Sequence, residues 1–421
     1  MSPASVAGAA WLGDPSLQKL LAVLSQGEDT ARIVGGAVRN TLLGEAVTDI
    51  DIATTTLPDE TVRRAESAGF RAVPTGIEHG TVTVIAGGVP HEVTTLRSDI
   101  ATDGRRATVA YGRDWKVDAG RRDFTVNALY AEADGTVIDL VGGLADLETR
   151  TIRFIGDAET RIREDYLRIL RFFRFFAQYG GGRPDAAGLL ACTRLKDGIS
   201  RLSVERIWAE MKKLLGAADP SRALLWMRQS GVLSLALPET EKWGIDAIHA
   251  LVAAERDLGW LADPLLRLEA IVPPDPARMV ELAERLKLSN GERYRLLAWA
   301  SAPLPAHDMA EAVFARLLYG GDLQACRDRL MLALASARSY AGTSDRHMIE
   351  AGGYGRLLKF ASTWKRPVFP VAGKDLQPLG IAPGPAMGDL LRRLEADWIA
   401  ANFALTREEL LARATAPGAP G

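Results

Sequence analysis

The stretch ARIVGGAVRN at residues 31–40, followed by TDIDIA at 48–53, decides the fold at the start of this chain. An apolar run ends in two glycines, which predicts a strand that turns sharply into a helix over about 37–43. The second stretch alternates polar and apolar residues with period two, which predicts a half-buried strand with Asp49 and Asp51 on one face. The sequence therefore predicts an α/β unit that carries two acids beside a glycine turn.

The two acids suggest a cation site. On one strand face their Cα atoms would lie about 7 Å apart, and two such carboxylates repel each other unless positive charge lies between them. Mg²⁺ takes oxygen ligands from one or two carboxylates and completes its shell with water or substrate phosphates. Glu92, on a later strand, could supply a third acid. Taken alone, an Asp-x-Asp pair fits surface charges on an edge strand at least as well.

The glycine turn suggests a phosphate site. Gly35 and Gly36 would let a phosphate approach backbone N–H groups, and the start of the next helix adds partial positive charge. Arg39, three residues into that helix, is within reach of a triphosphate. A Gly-Gly turn alone is a weak signal, because it is neither GxGxxG nor a P-loop with its lysine. Beside the two acids it becomes a strong one.

Further signals along the chain are mixed at first and helical later. Residues 81–86 and 91–97 are β-branched runs joined by GGVP, which predicts a hairpin. Residues 98–118 contain Asp-Gly and Tyr-Gly pairs, which predict a polar loop. Helical patterns then dominate, beginning with one continuous helix over 159–178.

Composition excludes several classes of protein. The 421 residues include 51 Lys and Arg against 53 Asp and Glu, 47% apolar residues and two cysteines. These values exclude wholesale disorder and a disulfide scaffold, and the net charge of −2 argues against a uniformly basic nucleic-acid binder. Positive charge is concentrated in residues 151–215, which hold 13 basic and 8 acidic side chains. Because no apolar run could span a bilayer and the start lacks the basic region of a secretory signal, we expect a cytoplasmic protein without membrane contact.

The motifs together resemble a known family. IVGGAVRN at 33–40 with DID at 49–51 resembles the signature of class II CCA-adding tRNA nucleotidyltransferases, which share a polymerase-β-like superfamily with bacterial poly(A) polymerases. Three further blocks agree in order and spacing: EVTTLR at 92–97, RRDFTVNA at 121–128 and EDYLRILRFFR at 164–174. The resemblance covers the first 180 residues, apart from the N-terminal 30, and beyond about residue 215 it rests on helical texture alone.

The resemblance implies an α+β fold with four parts. A mixed-sheet nucleotidyltransferase head would occupy residues 1–145, and a helical neck with a nucleotide-selecting helix would occupy 146–215. A helical body and tail that bind tRNA would follow over 216–410, so that the all-α part is elongated. Residues 411–421 are rich in Ala, Pro and Gly, which predicts a disordered end.

The resemblance also implies an activity. It is the template-independent addition of C, C and A to the 3′ end of tRNA from CTP and ATP, with release of pyrophosphate. Asp49 and Asp51 would hold two Mg²⁺ ions, and Glu92 would be a further ligand or base. Arg122 would contact the incoming nucleotide.

Asp165 and Arg168 are candidates for base selection. On one continuous helix they would be neighbours on the same face, and Arg171 and Arg174 continue from them. An ionised Asp only accepts hydrogen bonds and an Arg only donates them, which fits the pairing edges of cytosine and adenine but not those of guanine and uracil. Taken alone, the pattern is better explained by an amphipathic helix with ordinary salt bridges. Together with the other motifs it favours nucleotide selection.

Other assignments stay open from the sequence. Five basic residues are candidates for phosphate contacts, with a solvated surface charge as an equal alternative for each: Arg105, Arg106, Arg113, Lys116 and Arg121. Functionally, the nearest alternative is a poly(A) polymerase or an enzyme that adds only part of CCA. A catalytically dead RNA-binding homologue and a small-molecule nucleotidyltransferase are further alternatives. We expect a monomer or a weak dimer.

Overall fold

The computed structural model describes residues 4–76, 80–103, 106–241 and 243–415, with 98–103 and 106–109 described by their backbone alone. Contacts divide the chain into two compact units, Met1–Pro238 and Glu239–Gly421. The predicted head and neck both lie within the first unit. Their boundaries at residues 145 and 215 stay predictions.

The described residues of the first unit contain nine strands. They are β1 Ala31–Val34, β2 Asp51–Thr54, β3 Arg71–Gly76, β4 Thr81–Ala86, β5 Val89–Thr95, β6 Arg97–Asp103, β7 Arg106–Tyr111, β8 Leu129–Ala131 and β9 Val137–Asp139. Seven of them form one sheet in the order β3-β4-β5-β2-β1-β8-β9, and β6 pairs with β7 separately. Strand β2 is parallel to β5 and the other described pairings are antiparallel, so the predicted mixed sheet is confirmed.

The register of three strands brings the acids together. Val34, the last residue of β1, pairs with Asp51, the first residue of β2. On the other side of β2, Ile52 pairs with Val93 of β5, which sets Glu92 beside Asp51. The buried side chains of these strands, including those of Ile52 and Val93, anchor this arrangement in the core.

Helices form the rest of the first unit. They are α1 Pro15–Leu24, α2 Gly36–Leu43, α3 Pro58–Ser67, α4 Trp115–Gly120, α5 Gly143–Glu148, α6 Ala158–Glu164, α7 Leu167–Tyr179, α8 Ala186–Leu195, α9 Val204–Leu215, α10 Ser221–Gln229 and α11 Val232–Ala236. Aromatic rings join the sheet end to α7, because Phe124 packs on Phe154 with ring centroids 4.9 Å apart and Phe154 stacks on Phe172 at 5.5 Å. This contact fixes α7 against the segment that follows α4.

The described residues of the second unit form helices and their connections, with no strand. Its helices are α12 Ala247–Leu258, α13 Pro264–Ile271, α14 Pro276–Arg285, α15 Asn290–Ser301, α16 Glu311–Gly320, α17 Leu323–Tyr340, α18 Asp345–Thr363, α19 Gly373–Leu376, α20 Pro385–Ala400 and α21 Arg407–Ala414. The predicted all-α second part is therefore confirmed. Across the described part of the chain, no helix combines the length and apolar character that crossing a bilayer requires.

Several predicted elements are wrong in detail. The polar loop predicted over 98–118 is instead the hairpin β6–β7 followed by α4, which Asp114 caps through bonds from the backbone N–H groups of Lys116 and Val117. The Asp-Gly pair inside this segment is a hairpin signal that the loop prediction undervalued. At the other end, residues 411–414 belong to α21 rather than to a disordered terminus, because Thr406 and Glu409 form a capping box that starts this helix. Residues 416–421 lie outside the described residues.

The continuous helix predicted over 159–178 is broken. Helix α6 ends at Glu164 and α7 starts at Leu167, and Asp165 between them has extended backbone angles (φ −154°, ψ 108°). The side chain of Asp165 accepts a hydrogen bond from the backbone N–H of Leu167, so it competes with helical bonding. The sequence predicted that Asp165 and Arg168 are neighbours on one face of a continuous helix. Because the helix is broken at Asp165, that prediction is wrong.

Candidate active site

A cleft of about 580 Å³ opens in the first unit where β1 and β2 meet α2, the segment after α4, and α7. Its lining includes every residue predicted to bind nucleotide and both aspartates predicted to bind metal: Gly35, Gly36, Arg39, Asp49, Asp51, Arg122, Asp165, Arg168, Arg171 and Arg174. Four further residues line it as well: Arg121, Asp123, Asn127 and Phe175. Glu92 lies in an adjoining cavity of about 350 Å³ that Asp49 and Asp51 also line. The tertiary fold thus brings the separate sequence motifs to one place.

Gly35 makes the turn at the end of β1. Its backbone angles, φ 72° and ψ −116°, belong to a region that only glycine adopts without strain. A Cβ at this position would lie 3.4 Å from the carbonyl oxygen of Asn127, so the chain passes close here as well. Helix α2 begins at the next residue, Gly36, which also lines the cleft, and the N–H groups of its first turn have no intrahelical acceptors.

The acids form a cluster of negative charge. Strand β2 begins at Asp51, so Asp49 precedes the strand rather than lying on it, contrary to the predicted strand over 48–53. Asp51 is solvent-exposed and lines the cleft. Partial burial, the carboxylate of Glu92 and that of Asp49 raise the pKa of Asp51, and Arg122 opposes them. Among the described residues, no three Asp, Glu, His or Cys side chains converge into a complete metal site.

Arg39 is buried, in place of the free reach to a triphosphate that the sequence predicted. Its guanidinium donates hydrogen bonds to the side-chain oxygens of Asn127 and Asn40, the latter at 2.8 Å, and to the hydroxyl of Tyr179 at 2.9 Å. It also lies 4.0 Å from the centre of the Tyr179 ring. Through these contacts Arg39 links α2 to the C-terminal end of α7.

Arg171 and Arg174 are bound to acids of the cleft wall. Arg171 donates two hydrogen bonds to one oxygen of Asp123, at 2.8 and 2.6 Å, and Arg174 donates to Glu210 on α9 at 2.5 Å. Burial of Asp123 favours the protonated form, but Arg171 and other donors outweigh burial and lower the pKa of Asp123. The two arginines thereby hold α7 against its neighbours.

The predicted base-selecting pair has partners of its own. Asp165 accepts a hydrogen bond from Arg206 on α9 at 2.7 Å, and Arg168 donates to Glu164 at 2.5 Å. Both residues still line the cleft with Asp49 and Asp51. The sequence predicted Asp165 and Arg168 but did not predict that Arg206 and Glu164 bind them.

Several site residues escaped prediction. Asp123 and Asn127 lie within the quoted block RRDFTVNA, and Glu164 begins the block EDYLRILRFFR, so their motif membership was an available signal. Arg206, Glu210 and Asp118 carry no local signal, because only the tertiary fold shows which side chains they meet.

The predicted phosphate contacts divide between the cleft and other surfaces. Arg121 lines the cleft. Arg113 instead pairs with Asp29 at 2.7 Å, and Lys116 is solvent-exposed on α4. Arg105 lies outside the described residues, as does the side chain of Arg106.

Two family models match the chain. One is the poly A polymerase head domain, over residues 31–153, and the other is a probable RNA and SrmB-binding site of polymerase A, over residues 187–243. The mixed sheet, the acids beside the glycine turn and the helical remainder define the class: a nucleotidyltransferase with a polymerase-type head.

Individual relatives narrow the class. The chain is 32% identical over 403 residues to "CCA tRNA nucleotidyltransferase 1, mitochondrial" of Mus musculus, covering 94% of this chain and 88% of the relative. It is 32% identical over 412 residues to the CCA-adding enzyme of Levilactobacillus brevis, covering 94% and 96%. The crystal structure of the Bacillus stearothermophilus CCA-adding enzyme in complex with CTP matches with a TM-score of 0.70 and 28% identity, covering 95% and 97%. The chain belongs to the family of CCA-adding tRNA nucleotidyltransferases.

Proposed function

We propose that this protein adds C, C and A in turn to the 3′ end of tRNA, from CTP and ATP and without a nucleic-acid template. One observation carries the proposal: Asp49 and Asp51 line the same cleft as Asp165 and Arg168. The chemistry and the choice of base would therefore act on one bound nucleotide. The relatives' names and the CTP complex of the Bacillus enzyme agree with these substrates.

Asp49 and Asp51 fit a hard divalent cation such as Mg²⁺, with Glu92 as a further ligand or general base. Their donors are all oxygen, and partial burial together with the carboxylates of Glu92 and Asp49 raises the pKa of Asp51, so positive charge beside it would be favourable. Two protein carboxylates suffice for Mg²⁺ when water and substrate phosphates supply the other ligands. Divalent ions at these carboxylates would offset the charge of the triphosphate and lower the pKa of the tRNA 3′-hydroxyl.

The chain's own groups would orient the triphosphate. Helix α2 begins at Gly36, so its first-turn N–H groups lack intrahelical acceptors and can donate to phosphate oxygens. Arg122 adds a guanidinium beside Gly35. With the triphosphate held there, the 3′-hydroxyl attacks the α-phosphorus in line, the bond to the bridging oxygen of the β-phosphate breaks, and pyrophosphate leaves.

Base choice would rest on Asp165 and Arg168. The carboxylate accepts from the exocyclic amine of cytosine or adenine, and the guanidinium donates to a ring acceptor. Guanine and uracil would place a carbonyl against the carboxylate, and each buried polar group left unpaired costs about 1–3 kcal/mol. That cost is enough to reject the wrong nucleotides by roughly one to two orders of magnitude.

The helical parts would hold the tRNA. The match to an RNA-binding family model at 187–243 and the excess of basic residues over 151–215 support an RNA surface near the cleft. Proteins recognise duplex RNA mostly through its shape and its phosphates, which suits a helical scaffold with arginine and lysine side chains. We propose that the helices of the second unit also bind tRNA.

A tRNA lacking its 3′ CCA, incubated with the protein and with CTP, ATP or both, tests the proposal. Sequencing the product distinguishes the alternatives: one CCA per tRNA is the expected result. A long A tail would instead indicate a poly(A) polymerase, and C or A alone would indicate a partial enzyme. No incorporation with any nucleotide would overturn the proposal.

Compartment and assembly stay predictions. Cys192 and Cys326 are free and buried, which suits a reducing compartment, and we propose a cytoplasmic location. A monomer or weak dimer remains our expectation for the assembly.

A further inference from the structure

The buried carboxylate of Asp118 binds the two arginines of the cleft wall, Arg121 and Arg122. Asp118 lies on α4, three and four residues before Arg121 and Arg122, and only 1% of its surface is exposed. One of its oxygens accepts a hydrogen bond from the Nε of Arg121 at 2.8 Å and forms an ion pair with the Nη2 of the same guanidinium at 2.7 Å. The other accepts from Arg122 at 3.3 and 3.2 Å and from the hydroxyl of Tyr130 at 2.8 Å.

These bonds determine where Arg122 points. Asp118 takes the Nε and Nη2 groups of Arg122, and Nη1 then lies 3.9 Å from the Cβ position at Gly35. A guanidinium is a rigid planar fork, so fixing one side of it fixes the direction of the other. The free side thus faces the glycine turn, where the phosphates would bind.

The group formed by Asp118, Arg121 and Arg122 carries more positive than negative charge. Two arginines share one carboxylate, which leaves one positive charge facing the cleft. Burial favours the protonated form of Asp118, but the two arginines and Tyr130 outweigh burial and lower the pKa of Asp118. Burial and the carboxylate of Asp118 raise the pKa of Tyr130, so the phenol keeps the proton that it donates.

We infer that Asp118 is a positioning residue that aims Arg122 at the polyphosphate of the incoming nucleotide. The inference rests on the proposed function, because it assigns the ligand of Arg122 as a nucleoside triphosphate. Asp118 itself touches no substrate and acts through Arg122. It therefore determines how tightly the phosphates bind rather than which base is chosen.

The test is a double-mutant cycle of Asp118→Asn and Arg122→Met. In D118N a side-chain NH₂ group replaces one acceptor oxygen and faces the guanidinium or phenol donors. Because it cannot accept their hydrogen bonds, Arg122 is no longer held in its orientation. We expect the KM for CTP and for ATP to rise about tenfold or more, the loss typical of a charged hydrogen bond, while kcat changes less. In the R122M background D118N should have little further effect, because Asp118 acts only through Arg122. An equal loss in both backgrounds would overturn the inference.

A matched control separates aiming from folding. Asp29 also binds two arginines and one hydroxyl, those of Arg64, Arg113 and Thr55, but it lies outside the cleft. D29N should lower thermal stability without raising the KM for CTP. If D29N and D118N change the KM alike, Asp118 is merely structural.

Inorganic tripolyphosphate gives a readout that needs no turnover. Its binding, measured by calorimetry, should weaken in D118N about as much as the binding of CTP, whereas cytidine binding should not change. This separates the two proposals: an inactive wild-type protein refutes the proposed function, and unchanged tripolyphosphate affinity in D118N refutes the role of Asp118. Should D118N fail to fold, Tyr130→Phe removes one bond to the same carboxylate, and we expect a rise of roughly two- to threefold in KM that vanishes with R122M.

Discussion

Arg206 lies 2.7 Å from Asp165, joining the Nη2 group of a guanidinium on α9 to a carboxylate at the break between α6 and α7. The other oxygen of Asp165 accepts the backbone N–H of Leu167. The carboxylate is therefore held from two directions, and its remaining acceptor capacity is directed rather than free to rotate. Base choice would depend on this orientation.

Arg206→Met should weaken discrimination between bases. Without its partner the Asp165 carboxylate can rotate, so we expect CTP incorporation to fall and UTP to be accepted more readily. One charged hydrogen bond accounts for a change of roughly tenfold or more in the CTP to UTP ratio. Incorporation with each of the four nucleotides measures it.

The matched control for that change is Arg194→Met. Arg194 pairs with Glu159 at 3.0 Å on the exposed surface of α8, outside the cleft. R194M should leave the CTP to UTP ratio unchanged. If R206M also keeps the wild-type ratio, Arg206 has no part in base choice.

Asp51→Asn should abolish turnover and leave the fold intact. The Asp51 side chain is open to the cleft, and its raised pKa means that its charge costs the folded state free energy. We expect incorporation to fall on the order of a thousandfold or more, because several kcal/mol of charge stabilisation are lost. The melting temperature should stay equal or rise slightly.

Asp49→Asn should have the same effect on turnover, and Asp59→Asn provides the comparison. Asp59 is an exposed acid in the first turn of α3, away from the cleft. D59N should retain full activity. A D49N or D51N protein that still incorporates CMP at the wild-type rate would refute the assignment of these acids.

Gly35→Ala should destabilise the protein and damage nucleotide binding together. Its φ of 72° with ψ of −116° strains any residue that has a Cβ, and that Cβ would lie 3.4 Å from the carbonyl oxygen of Asn127. The strain costs about 1–3 kcal/mol in the free energy of unfolding. Calorimetry measures the stability, and the KM for CTP measures the site.

Gly44→Ala tests the effect of a positive φ at a position where an added Cβ would have no close neighbour. Gly44 ends α2 at φ 71° and ψ 21°, and a Cβ there would meet nothing within 4 Å. We expect a smaller loss, about 1 kcal/mol, and an unchanged KM for CTP. Equal effects of G35A and G44A on the KM would contradict a special role for the turn at Gly35.

Glu269→Gln should change how the stability of the second unit depends on pH. Glu269 on α13 is 2% exposed, and among the described residues neither of its oxygens has a hydrogen-bond partner. Burial and the nearby Asp328 raise the pKa of Glu269 well above 4.5. The folded state thus holds this proton more tightly than the unfolded state, so stability falls as pH rises from about 4.5 toward the folded pKa.

E269Q removes that titration. Melting temperatures of the variant and wild type should differ least below about pH 4.5 and diverge as pH rises above it, with the variant gaining by at most roughly 1.4 kcal/mol per pH unit within the window. Glu284→Gln is the comparison, since Glu284 is an exposed acid on α14 paired with Arg293. A wild-type pH profile in E269Q would contradict the burial of a protonated Glu269.

Local signals predicted much of the site. The strand at Ala31–Val34, the glycine turn and the start of α2 follow from neighbouring residues, because apolar periodicity and glycine freedom act over a few positions. The hairpin between β4 and β5 was likewise readable from its GGVP link. The break at Asp165 was not, because its cost is offset by Arg206, 41 residues away.

The sequence by itself therefore determined several elements of the head, among them β1, α2 and the β4–β5 hairpin, the presence of two acids beside a glycine turn, and, through its motifs, the family. Only the tertiary structure decided which charges face the cleft. It turned Arg39 inward onto Asn127 and Tyr179, set Asp118 behind Arg121 and Arg122, and tied Asp165 to Arg206. The physical reason is range: periodicity and turn chemistry belong to adjacent residues, whereas an ion pair depends on which distant segments pack together.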